Sequence, residues 1–312
     1  MITEKMNAIM KEGSTLSVQS VAAPSLREPG DVLVQVMLAG LCRTDLYAAE
    51  GKLKTPDRLI LGHEFSGLVT DSESDAFKAG DRVCVNPLLS CGICNHCRNQ
   101  THGACAEAQF IGIDRNGCFA GYIVVPQDSI FKIPAAMPFL DAAYAEPVAA
   151  SLAVFKAGIK PDEKGVIYGA NRFSQLMQKI MRIYGFDKID LYDPVTQKGQ
   201  LADSSYDYII ETAINTDVFS ELVAIVKPGG KIILKSRNYE PLSFRMNEVI
   251  KKEQIFQLVN YGSFQESIDL LASGKLDVAE LVDGVYKLEK YAPVFAGSKE
   301  SESLKPFFAP WD

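Results

Sequence analysis

Hydrophobic and polar positions alternate along the first third of the chain, then change to helical spacing near residue 138. Asp31-Val32-Leu33-Val34-Gln35-Val36-Met37 alternates, is rich in β-branched residues and runs out at Gly40, the pattern of a strand. Residues 5–40 read as β-structure throughout, and residues 61–67 are strand-like. Gly80-Asp81-Arg82-Val83 turns into a further strand, and residues 117–126 resume the sheet after a cysteine-rich interruption. Residues 141–156 have helical spacing. They lead into Lys164-Gly165-Val166-Ile167-Tyr168-Gly169, a short apolar strand, and then a helix over 172–184 with Leu176, Ile180 and Ile183 on one face. A second strand over 188–192 ends at Asp193-Pro194. Strands over 206–211 and 231–235 flank a helix over 216–226 that stops at Pro228-Gly229-Gly230. Residues 264–274 form one more helix before a short strand-and-loop tail, and the chain has no internal repeat.

Strand–helix alternation in the second half implies a parallel sheet with right-handed crossovers, so the class is α/β with a β-rich first part. Only twelve residues lie between Asp193 and Tyr206. A helix plus an edge strand needs more than about twenty. The third strand, which flanks the adenine pocket of a doubly wound nucleotide fold, is therefore expected to be missing.

At 312 residues the chain accommodates two domains, and its apolar and charged fractions are those of an ordinary globular protein. A net charge of −7 with no Lys/Arg run argues against nucleic acid or an anionic membrane as partner. The start, Met1-Ile2-Thr3-Glu4-Lys5-Met6, has no apolar signal core, and Glu146-Pro147 interrupts the longest apolar run. Seven cysteines, an odd and clustered set, suit a reducing cytoplasm better than a disulfide framework.

The clustering itself points to a metal. Cys91, Cys94, Cys97 and Cys105 are spaced x2, x2 and x7, and four thiolates on one short loop can close around a tetrahedral zinc ion. A bacterial iron–sulfur run has a last gap of three and a following Pro, whereas here the gap is seven and Ala106 follows. His96 and His102 share the loop and could replace a thiol, but four cysteines already fill the shell. The plain alternative is reduced cysteines with no metal. We read the loop as a structural zinc lobe. Cys84 and Cys118 suit the core, and Trp311 carries no readable signal. Cys42, His63, Glu64 and Glu146 would suit an open-sided catalytic zinc. Spacing alone does not bring them together, and a lone Cys or His is commonly a core residue.

In a doubly wound nucleotide-binding fold the loop after the first parallel strand reads G-x-G-x-x-G, so that bare backbone approaches a pyrophosphate at a helix N-terminus. Here it reads Gly169-Ala170-Asn171-Arg172-Phe173-Ser174, keeping only the first glycine. Asn tolerates positive φ, so the turn can form, but its side chain stands where the phosphate comes close. Ser174 is small enough for helix–strand packing. Asp193, 24 residues past Gly169, suits a ribose diol and favours NAD over NADP. Arg172 could meet a phosphate or be an exposed charge.

Cys42-Arg43-Thr44-Asp45, Gly62-His63-Glu64 with Gly67, Gly80-Asp81-Arg82-Val83, the four-Cys lobe and Glu146-Pro147 stand in the order and spacing of the zinc-containing medium-chain alcohol dehydrogenases. The chain resembles that family over nearly its whole length. Glu146-Pro147, where other members carry a Cys, looks like the sorbitol and threonine dehydrogenase branch. The resemblance implies a GroES-like catalytic domain over 1–150 and 263–312 around an abridged Rossmann domain over 151–262. It implies that Cys42, His63 and Glu146 hold a catalytic zinc, with Glu64 a carboxylate beside the metal that binds it directly in some members. Thr44 matches the hydroxyl that takes the alcohol proton. Asp45 matches the carboxylate that orients the imidazole, for which the plain alternative is a turn cap. The family's relay His is Tyr47 here, and neutral Tyr is a poor base near neutral pH.

The implied function is a zinc-dependent, NAD-linked interconversion of a small-molecule secondary alcohol (a polyol or a hydroxylated amino acid) and a ketone. Two zinc ions per chain and a homodimer or homotetramer go with it. Two rivals come from other classes: a zinc enzyme of lyase or isomerase type without a dinucleotide, and a non-catalytic zinc-binding scaffold.

Overall fold

The structure is a computed structural model that describes residues 4–99, 102–237 and 239–311. The chain divides into two units, Met1–Glu146 with Phe264–Asp312, and Pro147–Ser263. The first unit opens with β1 (Lys5–Glu12), β2 (Thr15–Ala22), β3 (Asp31–Gly40), α1 (Arg43–Ala49), β4 (Arg58–Ile60), β5 (Glu64–Ser72) and β6 (Arg82–Val85). It continues through β7 (Leu88–Leu89), α2 (Asn95–Arg98), β8 (Gln109–Phe110), β9 (Tyr122–Pro126), β10 (Ile130–Lys132) and α3 (Phe139–Ala143). Antiparallel pairing of β5 and β9 with β3 makes β3 the centre of this unit. Its alternation works on both faces. Val32, Val34 and Val36 join Phe65, Val69 and Phe119 in one cluster, while Leu33 joins Met6, Ile60 and Tyr122 in another. Each such buried aliphatic side chain contributes about 1.5–3 kcal/mol relative to exposure.

Residues 141–156 do not form one helix. They form the end of α3, then α4 (Ala145–Leu152), then a 3-10 turn over Ala153–Ala157. Pro147 explains the break: a continuous helix would need its missing N–H at the carbonyl of Ala143, whereas in the first turn of α4 no N–H is required.

The second unit is a parallel sheet of β11 (Gly165–Tyr168), β12 (Ile189–Tyr192), β13 (Tyr206–Glu211), β14 (Val226–Leu234) and β15 (Ile255–Leu258), in the order β12-β11-β13-β14-β15. Helices α5 (Arg172–Ile183), α6 (Thr216–Ile225) and α7 (Met246–Ile250) belong to it. Alternation along β11 sends Val166 and Tyr168 to the α6 side with Phe219 and Leu222, and Ile167 to the α5 side with Met177 and Met181. Both faces are covered, as a parallel sheet requires. The buried stripe of α5 is Leu176, Met177, Ile180 and Met181, with Ile183 at its margin and 38% exposed, not on the buried face as expected. No strand lies between β12 and β13, so β12 is an edge. β14 begins at Val226, directly after α6, and so includes Pro228-Gly229-Gly230, which the sequence pattern had placed before the strand.

The chain returns to the first unit through α8 (Phe264–Ala272), β16 (Val282–Lys287), α9 (Tyr291–Glu300) and β17 (Lys305–Ala309). The tail is more than loop: β17 pairs antiparallel with the end of β3, Phe307 against Gly40 and Phe308 against Ala39. Trp311 follows, its ring edge-on to Tyr122 at 5.0 Å.

Candidate active site

Three side chains of the first unit converge where β3 ends and β5 begins. Cys42 is the N-cap of α1, and His63 and Glu64 stand at the start of β5. One ligand atom from each of Cys42, His63 and Glu64 lies within 4.8 Å of the others. Asp45 ties the two segments together. Its Oδ2 accepts the Cys42 N–H at 2.9 Å and its Oδ1 the Gly62 N–H at 3.1 Å. The first of these is a reciprocal cap of α1, so Asp45 is a cap and an orienting group at once. His63 Nδ1 stands 3.2 Å from Asp45 Oδ1, at ion-pair distance though off the hydrogen-bond line. That contact favours a proton on Nδ1 and leaves Nε2 for a metal. Phe110 meets the imidazole edge-on at 5.2 Å. Gly62 makes the approach possible: its φ is +95°, and a Cβ there would lie 2.7 Å from the Phe119 ring.

The electrostatics call for a cation. Burial lowers the His63 pKa, but the Asp45 carboxylate and the Cys42 sulfur outweigh it and hold it well above the ordinary imidazole value. Behind Glu64 stands Lys305, from the first position of β17; its Nζ donates to Glu64 Oε2 and, at 3.4 Å, to Leu41 O. Both members of this ion pair are buried. With Cys42 and His63 in their metal-ligand forms, a thiolate and a neutral imidazole, Cys42, Asp45 and Glu64 would bring three formal negative charges and Lys305 one positive. A divalent ion balances them, which fits zinc. Thr44, 6% exposed, has its Oγ1 3.7 Å from Cys42 Sγ.

Glu146 is buried in the first turn of α4 but is not in this group; its carboxylate does not fall within 4.8 Å of all three ligand atoms. The structure gathers Cys42, His63 and Glu64, three of the four residues expected at the catalytic zinc. Lys305 could not be found by spacing, since 241 residues separate it from Glu64.

The sulfurs of Cys91, Cys94, Cys97 and Cys105 form a second group within 4.8 Å, and none of the seven cysteines is in a disulfide. Cys94 Sγ is 3.4 Å and Cys91 Sγ 3.8 Å from Cys97 Sγ. Zinc–sulfur bonds of about 2.3 Å give a tetrahedron edge of about 3.8 Å, so the group fits the ion. The backbone N–H groups of Ile93 and Cys94 pull the Cys91 thiol down to about 6. Cys94 accepts from the backbone of Cys97, but its thiol neighbours and burial push it up to about 11. His96 is exposed and outside the group; the His102 side chain lies outside the described residues. Cys84 and Cys118 are buried in the core.

In the second unit, β12 and β13 leave β11 on opposite sides, so the carboxyl ends of β11 and β13 form the switch point at which such sheets bind ligands. Gly169, Asn171, Ser174 and Thr212 meet there. Gly169 has φ +126°, and a Cβ on it would lie 2.2 Å from Thr212 Oγ1. Asn171 is extended, with φ −122°, not left-handed as its tolerance suggested. It is the N-cap of α5: its Oδ1 accepts from the N–H groups of Phe173 at 3.0 Å and Ser174 at 3.1 Å. Thr212 donates to Tyr168 O at 3.1 Å and accepts from Asn171 Nδ2 at 3.1 Å; it also shares a 2.7 Å hydrogen bond with Ser174 Oγ. Thr212 was legible in principle as the residue after the third parallel strand. Arg172 is buried and so is not the exposed charge its sequence position allowed. Asp193 ends β12 with both carboxylate oxygens engaged, by the Val195 N–H at 2.9 Å and the Thr196 hydroxyl at 2.7 Å.

Residues 28–135 match the family model of the alcohol dehydrogenase GroES-like domain. D-xylulose reductase A of Aspergillus oryzae is 26% identical over 92% of the chain and 91% of that protein. Sorbitol dehydrogenase of Bacillus subtilis is 28% identical over 91% and 90%. An Escherichia coli CFT073 alcohol dehydrogenase complexed with NADH superposes with a TM-score of 0.88 at 22% identity, covering 98% of this chain and 100% of that one.

Proposed function

We propose that the chain is a zinc-containing medium-chain alcohol dehydrogenase that interconverts a small secondary alcohol of polyol type and a ketone with NAD(H). The observation that carries this reading is the convergence of Cys42, His63 and Glu64 on one point beside Asp45. The polyol class is supported by the named activities of the xylulose reductase and sorbitol dehydrogenase relatives.

Cys42, His63 and Glu64 would hold the catalytic zinc, and Cys91, Cys94, Cys97 and Cys105 a second, structural one. When bound, the metal supplies Lewis acidity and the dinucleotide a hydride acceptor or donor. Thr44 Oγ1, beside the Cys42 sulfur, would relay the substrate hydroxyl proton in oxidation, accepting it while passing its own proton on to water, with the reverse transfer in reduction. Asp45 keeps the His63 ring fixed by holding both ligand-bearing segments through their backbone amides. Lys305 holds the Glu64 carboxylate in place and offsets its charge. In the nucleotide unit, Gly169, Asn171, Ser174 and Asp193 frame the dinucleotide position.

No helix among the described residues is long and apolar enough to cross a membrane, and we place the enzyme in the cytoplasm. The β15 edge carries exposed Ile255 and Leu258, with exposed Met246 and Ile250 on α7, which supports a homodimer or homotetramer. The test of function is nicotinamide reduction by the zinc-loaded enzyme with a panel of polyols and NAD. Turnover that is lost in His63→Ala, with the fold retained, is the expected result. No turnover with any secondary alcohol, in either direction, would refute the reading.

A further inference from the structure

We propose that Asn171 is a built-in competitor for the dinucleotide pyrophosphate, so that this chain holds NAD(H) loosely and exchanges it as a co-substrate. The inference rests on the dinucleotide-linked reading above and specifies how the chain's own residues set its affinity.

A pyrophosphate at a switch point is held by the unpaired N–H groups of the first helical turn. In α5 those of Phe173 and Ser174 are taken by Asn171 Oδ1, while the Gln175 N–H makes the first bond of the helix ladder, to the Asn171 carbonyl at 3.1 Å. The carboxamide is only 7% exposed and is gripped at its other end as well, where Nδ2 donates to Thr212 Oγ1. The Thr212 hydroxyl is itself fixed, because it donates to Tyr168 O and packs into the space that Gly169 leaves. A phosphate oxygen can reach the Phe173 and Ser174 amides only by displacing a side chain that makes three hydrogen bonds.

The ribose end repeats the arrangement independently. The Asp193 oxygens that would accept from a ribose diol already accept from Val195 and Thr196, and the Asp193 N–H donates to Gln197 Oε1 at 2.7 Å. β12 is also the sheet edge, so no further strand walls the adenosine side. The chain's own polar groups thus occupy the phosphate position and part of the acceptor capacity at the ribose position, and Asn171 is the one whose removal exposes amides aimed at an anion.

The test is a gain of affinity. Gly is close to Asn in N-cap preference, so Asn171→Gly keeps α5 while removing the competing carboxamide. NADH titrations by nicotinamide fluorescence, on full-length zinc-loaded protein, should show Asn171→Gly binding about tenfold more tightly than wild type, given that each freed hydrogen bond has a modest net value. Thr212→Val, which loosens only the Nδ2 end, should tighten binding by a smaller factor. Hydrogen exchange at the Phe173 and Ser174 amides should be slowed by NADH in Asn171→Gly far more than in wild type. Tight binding by wild type that neither substitution improves would overturn the inference and leave the dinucleotide reading intact. Failure of all three proteins to bind at millimolar NADH would overturn both.

Discussion

Lys305 is the side chain whose removal has the plainest consequence. Its ammonium is the counter-charge to Glu64 in a pair with 5% and 2% exposure. Breaking a buried pair from one side leaves the other charge uncompensated, a loss of roughly 3–5 kcal/mol. Lys305→Met should therefore lower the unfolding free energy by that amount in urea titrations, while Lys305→Arg should recover most of it. A Lys305→Met protein within about 0.5 kcal/mol of wild type would contradict this account of the site. The same pair shows the limit of reading a chain locally. Cys91, Cys94, Cys97 and Cys105 were legible because one short loop carries all four ligands. Lys305 carries no local signal, since only the return of β17 to β3 brings it to Glu64. Asp45 was legible in both of its readings, and the structure combines them: one carboxylate oxygen caps α1 while the other faces His63.

Among the elements, the segment from β12 to β13 is held by side chains where a longer chain would have a helix and strand. Thr196 and the Val195 N–H hold the Asp193 carboxyl below the ordinary carboxylate range. A depressed folded-state pKa means that the turn gains stability above the unfolded-state value. That gain is lost as the pH falls through the lowered value. Thr196→Val should raise the Asp193 pKa toward that of a free carboxylate, read by carboxyl-carbon NMR titration. An unchanged pKa would mean that the hydroxyl does not hold the turn. Strand periodicity marked β3, β11 and β13 well because both faces of each are buried. It could not mark the break between α3 and α4, which depends on one missing amide at Pro147. Nor did it mark α9, which buries only Val294, Phe295 and Ser298 of its ten residues.

At the scale of the whole molecule, the order of motifs carried the resemblance, because the glycines and ligands that make it are tied to backbone geometry. Of the two buried carboxylates expected beside the metal, Glu64 lies within the three-residue group, a placement set by the tertiary fold and not by spacing. The degenerate nucleotide loop showed that two glycines were absent, and the structure supplies what stands in their place, a helix start capped by Asn171 and locked with Ser174 to Thr212.

The central claim is that Cys42, His63 and Glu64 form a real cation site in addition to the four-sulfur lobe. Zinc content per chain, measured on the purified protein and on Cys42→Ser, tests it most directly. The account expects two ions in the wild type and one in the variant, with the ion of the four-sulfur lobe retained. One ion per chain in both proteins would contradict it.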